Sequence, residues 1–159
     1  MRDACYHLRK SEECIVGRIK VLIADDHEEM LDDIRVILES EFDVVGAVGD
    51  GQALISAADT FRPDVIITDI SMPRMNGIEA ARLIIQKNPG SRIILMTMHN
   101  EAALVEQSLT AGALGYVLKL KAEDELRQAI HSALEDKRFI SPQVSYGSPT
   151  GRDLSRPTP

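Results

Sequence analysis

The chain has 159 residues, of which 44% are hydrophobic and 27% charged; this is the composition of a folded domain with a core rather than of a disordered chain. A net charge of −7 and an isoelectric point of about 5.1 argue against a piece that clamps nucleic acid by itself, because phosphate contacts need clustered lysine and arginine. No apolar run approaches a membrane span, and the first residues, MRDACYHLRKSEECIVGR, lack the continuous apolar stretch of a secretory signal.

Residues 1–17 are polar and irregular and are read as an N-terminal extension. Both cysteines, Cys5 and Cys14, fall there. With His7 they offer three metal-type donors, but a fourth ligand and zinc-site spacing are missing, so free thiols in a reducing cytoplasm are the expectation.

From residue 19 short β-branched runs alternate with segments of helical period. Strands are predicted at 20–24 (KVLIA), 44–48, 65–68 (VIIT), 93–97 (IILMT) and 116–118. These runs are nearly continuously apolar, without in/out alternation, as expected of parallel strands covered on both faces. The second is the weakest, since Gly46 and Ala47 leave little to pack. Helices are predicted at 27–40, 52–61, 77–87, 102–111 and 123–137. Met30, Ile34, Ile37 and Leu38 form one apolar stripe; Leu126, Ile130, Ala133 and Leu134 form another. Pro63, Asn88-Pro89-Gly90 and Gly112 punctuate the joins, and Asn76 suits the N-cap of the third helix. The domain is placed at 18–139. Residues 140–159, with four prolines in 141–159 and no apolar stripe, are read as a linker.

Five strand–helix units predict a doubly wound α/β fold with a five-stranded parallel sheet, (βα)5, in the common order 2-1-3-4-5. Polar residues then gather at the carboxyl ends of the strands, where such sheets bind ligands: Asp25-Asp26, Asp69, Thr97 and Lys119. With strands ~4.8 Å apart, Asp69 and Lys119 start about 10 Å apart at the backbone, and a lysine stem closes most of that gap. Asp26 and Asp69, on adjacent strands, are expected within roughly 5 Å, where each carboxylate pair repels by about 3 kcal/mol at an effective dielectric of ~20. A divalent cation with oxygen ligands relieves that cost, and Mg²⁺ suits one or two carboxylates with water and phosphate oxygens. An acidic pocket, a hard cation, a hydroxyl and a lysine fit attack by an aspartate on an activated phosphoryl group. Lys119 then offsets charge on the phosphoryl oxygens, Thr97 donates a hydrogen bond to one of them, and Asp25 acts through a metal-bound water.

The segments ADDHEEML, VIITDISMPRMNG, MTMHN and GYVLK together resemble the receiver domain of bacterial two-component response regulators, of CheY-like (flavodoxin-like) fold. The resemblance runs from residue 20 to residue 138. It implies Asp69 as phosphoacceptor, Asp26, Asp69 and the main-chain carbonyl of Ser71 as ligands of Mg²⁺, and Tyr116 as a switch aromatic whose ring turns inward as Thr97 moves toward the phosphoryl group. It implies a sensor histidine kinase as phosphoryl donor, a cytoplasmic location, possible homodimers and self-phosphorylation chemistry rather than turnover as an enzyme. Many receivers carry proline after the lysine; Leu120 stands there, which is similar to the NarL/FixJ branch. In that branch a segment like RFISPQVS…DLSRPTP leads into a helix-turn-helix output domain, so DNA is an expected partner of a missing domain and not of this one.

Each residue also has a plain structural reading. Asp25-Asp26 can cap the next helix, Asp69 can form a turn before Pro73, Thr97 can fill a strand and Lys119 can be solvated. Their common register at one sheet edge favours chemistry. His27 is assigned to the first loop or helix start and His99 to the pocket rim, neither as a catalyst. A stand-alone receiver is the alternative to a truncated regulator. A metal-dependent phosphohydrolase is the alternative from another class; it requires a second general acid/base that the motif positions do not supply.

Overall fold

The computed structural model describes residues 18–144. The expectations for Cys5, His7 and Cys14, and for the tail from residue 145, lie outside the described residues. The chain alternates strand and helix: β1 (Lys20–Ala24), α1 (Glu28–Leu38), β2 (Asp43–Val48), α2 (Gly51–Phe61), β3 (Val65–Asp69), α3 (Gly77–Lys87), β4 (Ile93–Thr97), α4 (Ala102–Thr110), β5 (Gly115–Leu118), a 3₁₀ turn (Lys119–Lys121), α5 (Ala122–Leu134) and β6 (Phe139–Ile140).

The sheet is parallel with order β2-β1-β3-β4-β5-β6. The doubly wound order expected from the sequence is present, with one correction: there are six strands, not five. Phe139 and Ile140 pair with Gly115 and Tyr116 of β5, so the last residue assigned to the domain and the first assigned to the linker extend the sheet. Two residues carry too little period-2 signal to reveal a strand, and the four prolines that follow masked it.

Continuous apolar strands work here because both faces are covered. Leu22, Ile66, Ile93, Leu95 and Tyr116 face one layer with Leu54, Ile78, Ile84 and Val105 from α2, α3 and α4. Their sequence neighbours Val21, Ile23, Ile67, Ile94, Met96 and Val117 face the other, with Ile34 and Leu38 of α1 and Leu126 and Ile130 of α5. Each such fully buried aliphatic side chain contributes ~1.5–3 kcal/mol. Gly46, the weak point of β2, has a purpose: the Phe61 ring lies where a side chain would stand, with Cε2 3.0 Å from an ideal Cβ. Pairing of β1 with β2 slips by one residue between Val21 and Leu22, leaving Val45 as the extra residue.

The joins are set by side chains. Asp50 and Asn76 cap α2 and α3 by accepting from Ala53 N and Glu79 N, each at 2.8 Å. Asp25 and Asp26 do not cap α1; its N-cap is His27, which makes no side-chain cap bond. Asp25 Oδ1 instead accepts from His27 N at 2.9 Å, which leaves its other carboxylate oxygen for another use.

Candidate functional site

Three strands end in the same place. β1 runs out into Asp25 and Asp26, β3 ends at Asp69, and Lys119 follows β5 at the start of the 3₁₀ turn. Asp25 is 1% and Asp69 4% exposed, at the closed end of an apolar sheet. The Lys119 ammonium reaches back between them, with Nζ 2.8 Å from Asp25 Oδ2 and 3.1 Å from Asp69 Oδ2. A side chain 10% exposed thus joins two carboxylates that would otherwise face each other in a low-dielectric setting.

The backbone fixes Asp69 closely. Ser71 N donates to Asp69 Oδ1 at 3.3 Å, and Thr68 Oγ1 donates to the Asp69 carbonyl at 3.0 Å. Gly77 lies against that carbonyl: an added Cβ would stand 2.0 Å from the Asp69 oxygen. Opposite, Gly51 leaves room for Met75, whose carbonyl would be 2.4 Å from a Cβ. Arg74 adopts a left-handed conformation, φ 68°, and its Nε lies 3.4 Å from Asp50 Oδ2. The loop from Ser71 to Asn76 is therefore held at both sides.

Burial raises the Asp69 pKa above the ordinary carboxylate value, and the Asp25 charge raises it further; the Lys119 ammonium and the Ser71 N–H pull against both. For Lys119, burial is the largest single influence and lowers its pKa, yet the hydrogen bonds and charges of Asp25 and Asp69 together outweigh it and leave the ammonium firmly protonated.

Asp25, Asp26, His27 and Asp69 each bring one ligand atom within 4.8 Å of the others. The three carboxylates supply hard oxygen donors of the kind that hold Mg²⁺ or Ca²⁺. His27 is the member that sequence reasoning placed only in the loop: its Nδ1 lies 3.2 Å from Asp25 Oδ1 and 3.1 Å from Asp26 Oδ1. Its adjacency to the acidic pair was the available signal.

Thr97 and Tyr116 meet at one residue. Thr97 Oγ1 accepts from His99 N at 3.0 Å, and Tyr116 Oη donates to the His99 carbonyl at 2.9 Å. Among the described residues the Thr97 hydroxyl donates to no partner, which leaves its proton available. Tyr116 is fully buried, with its ring turned inward, and burial followed by the Glu101 charge pushes its pKa up to about 12. The Lys119–Leu120 peptide is trans.

The family model described as "Response regulator receiver domain" matches residues 21–131, and the chain belongs to that family. Among curated relatives, the transcriptional regulatory protein DegU of Brevibacillus brevis is 33% identical over 138 residues, covering 86% of this chain and 58% of that protein. The response regulator UvrY of Escherichia coli is 36% identical over 129 residues, covering 80% of this chain and 59% of that protein. This chain thus spans somewhat more than half the length of the curated relatives it matches. A LuxR-family two-component response regulator from Aurantimonas superposes with a TM-score of 0.77 at 32% identity, covering 80% of this chain and 93% of that one. The isolated receiver domain of RcsB from Salmonella enterica, solved with the phosphomimetic BeF₃⁻, gives 0.74 at 35% identity over 80% of this chain and 96% of that one. The chain is a two-component response-regulator receiver, and its relatives include transcriptional regulators.

Proposed function

We propose that Asp69 is the phosphoacceptor of this receiver and that Lys119, Thr97 and the acidic pair form the machinery around it. In the transfer, one carboxylate oxygen of Asp69 bonds to phosphorus as the bond from phosphorus to the donor breaks. The donor leaves with that electron pair, and Asp69 becomes a mixed anhydride. Lys119 offsets charge on the phosphoryl oxygens, and Thr97 donates its free hydroxyl proton to one of them. Asp26, Asp69 and the main-chain carbonyl of Ser71 would hold Mg²⁺, with Asp25 acting through water. When bound, the ion supplies positive charge against both the clustered carboxylates and the phosphoryl group.

The observation that carries the reading is the Lys119 ammonium shared by buried Asp25 and Asp69, 2.8 and 3.1 Å away. A lysine satisfied by one structural partner would need no second acid. Two acids at one cation leave negative charge in excess, as a site awaiting a cation and a phosphoryl group requires.

The phosphoryl donor is a phosphohistidine of a sensor kinase in the cytoplasm, and the switch surface is the one carrying Thr97 and Tyr116. Phosphorylation shifts a pre-existing equilibrium toward an active arrangement that controls a DNA-binding output domain or a homodimer. That the relatives include a transcriptional regulatory protein supports transcription as the controlled output. Acetyl phosphate with Mg²⁺ should add one phosphoryl mass to the chain and none to Asp69→Asn. A Mg²⁺-dependent gain that persists in the variant removes Asp69 from this role.

A further inference from the structure

The segment after α5, which the sequence presents as a linker, sends a polar side chain into the domain. Ser141 is 1% exposed. Its N–H donates to the Tyr116 carbonyl at 2.9 Å. Its hydroxyl uses both capacities: Oγ accepts from Leu118 N at 3.0 Å and donates to Glu125 Oε1 at 2.5 Å. Glu125, on α5, is itself 9% exposed. A buried carboxylate and a buried hydroxyl are costly unless matched to each other, and here they are.

The position of this network matters more than its strength. β6 ends at Ile140, opposite Tyr116. Two residues further along β5, past the end of β6, Leu118 is in register with Thr97 of β4 on one side, and on the other its N–H is taken by the Ser141 hydroxyl in place of a strand carbonyl. The next residue is Lys119, whose ammonium must meet Asp25 and Asp69. We infer that Ser141, oriented by Glu125, is a positioning residue for Lys119: the hydroxyl fixes the last amide of β5 and so sets where the lysine leaves the sheet. The inference rests on the phosphoacceptor reading above. It makes the efficiency of phosphoryl transfer depend on a residue of the segment that follows α5, and it gives that segment a mechanical link to the reaction centre.

The test uses the full chain with acetyl phosphate, whose phosphorus–oxygen bond to acetate breaks as the Asp69 oxygen bonds to phosphorus. Misplacing a reacting group by an ångström costs up to ~10²-fold, and a loosened strand end should cost part of that. Ser141→Ala should lower the maximal rate about tenfold, Glu125→Met about threefold, and Ser141→Thr, which keeps the hydroxyl, should restore most of it. The Mg²⁺ concentration for half-maximal rate should stay within about twofold, because its proposed ligands lie at and just beyond the ends of β1 and β3; general loosening would move both quantities. Ser108→Ala, which removes another buried hydroxyl, on α4 and bonded to Leu104 O at 2.7 Å, should leave the rate unchanged.

A wild-type rate in folded Ser141→Ala overturns the inference, as does an equal loss in Ser108→Ala. Should Ser141→Ala not fold, Glu125→Met decides, and a wild-type rate there overturns it. Failure of the wild-type chain to gain a phosphoryl group contradicts the phosphoacceptor reading instead.

Discussion

Lys87 and Lys119 each hold an aspartate, at opposite ends of the same fold. Lys87 pairs with Asp59 where α3 and α2 finish, and the two side chains are 63% and 56% exposed. Lys119 pairs with Asp25 and Asp69 at the carboxyl ends of the strands, where the side chains are 10%, 1% and 5% exposed. The chemistry is the same and the consequences differ. In water the pair is worth ~0–1 kcal/mol. Under the sheet edge, three charges share a space with little solvent, so each depends on the others and Asp69 is held above its ordinary pKa. Burial, rather than ion pairing, turns a lysine and an aspartate into a candidate reaction centre.

The comparison can be broken most forcefully at Lys119. Lys119→Met should reduce the acetyl phosphate reaction by ~10²–10³-fold, since it removes charge stabilisation where phosphoryl charge develops; stopped-flow or mass-resolved rates would show it. Next in size is Gly77→Ala, whose Cβ has no room beside the Asp69 carbonyl. It should cost about 3 kcal/mol in urea unfolding, with the slope unchanged.

A smaller effect with a telling sign concerns Asp69 itself. Its raised folded pKa means that neutral Asp69 is favoured in the folded state, so its ionisation weakens the metal-free fold. That contribution is absent below the unfolded carboxylate pKa and appears as pH rises through the folded one. Asp69→Asn should therefore raise the metal-free melting temperature at pH 7 by about 4 °C, and the gain should shrink as pH falls through the folded pKa. A gain that persists at low pH would point to packing instead. Smallest of all, Lys87→Ala should change stability by less than about 0.5 kcal/mol, and added salt should abolish even that.

The site end of the fold was more legible than its edge, for physical reasons. Apolar runs ending abruptly in Asp25, Asp69 and Lys119 announce buried charge, because little else explains acids at the tips of such strands. Asn76 as a cap, and the two helical stripes, followed from local chemistry and period. Helix ends were less visible: α5 stops at Leu134 rather than 137, where Asp136 turns left-handed at φ 60°. The sixth strand and Ser141 were hidden because their meaning is entirely tertiary. A serine before a proline reads as linker until β5 is known to present an unpaired amide beside it. His27 was half visible, since adjacency to two acids does not say where an imidazole points.

One measurement reaches the central claim most directly. The chain, treated with acetyl phosphate and Mg²⁺, is reduced with borohydride, which converts an aspartyl phosphate to homoserine, and is then mapped by peptide mass spectrometry. The expected result is homoserine at position 69 alone. Homoserine at 25 or 26, or at no position despite a phosphorylated chain, would contradict the account.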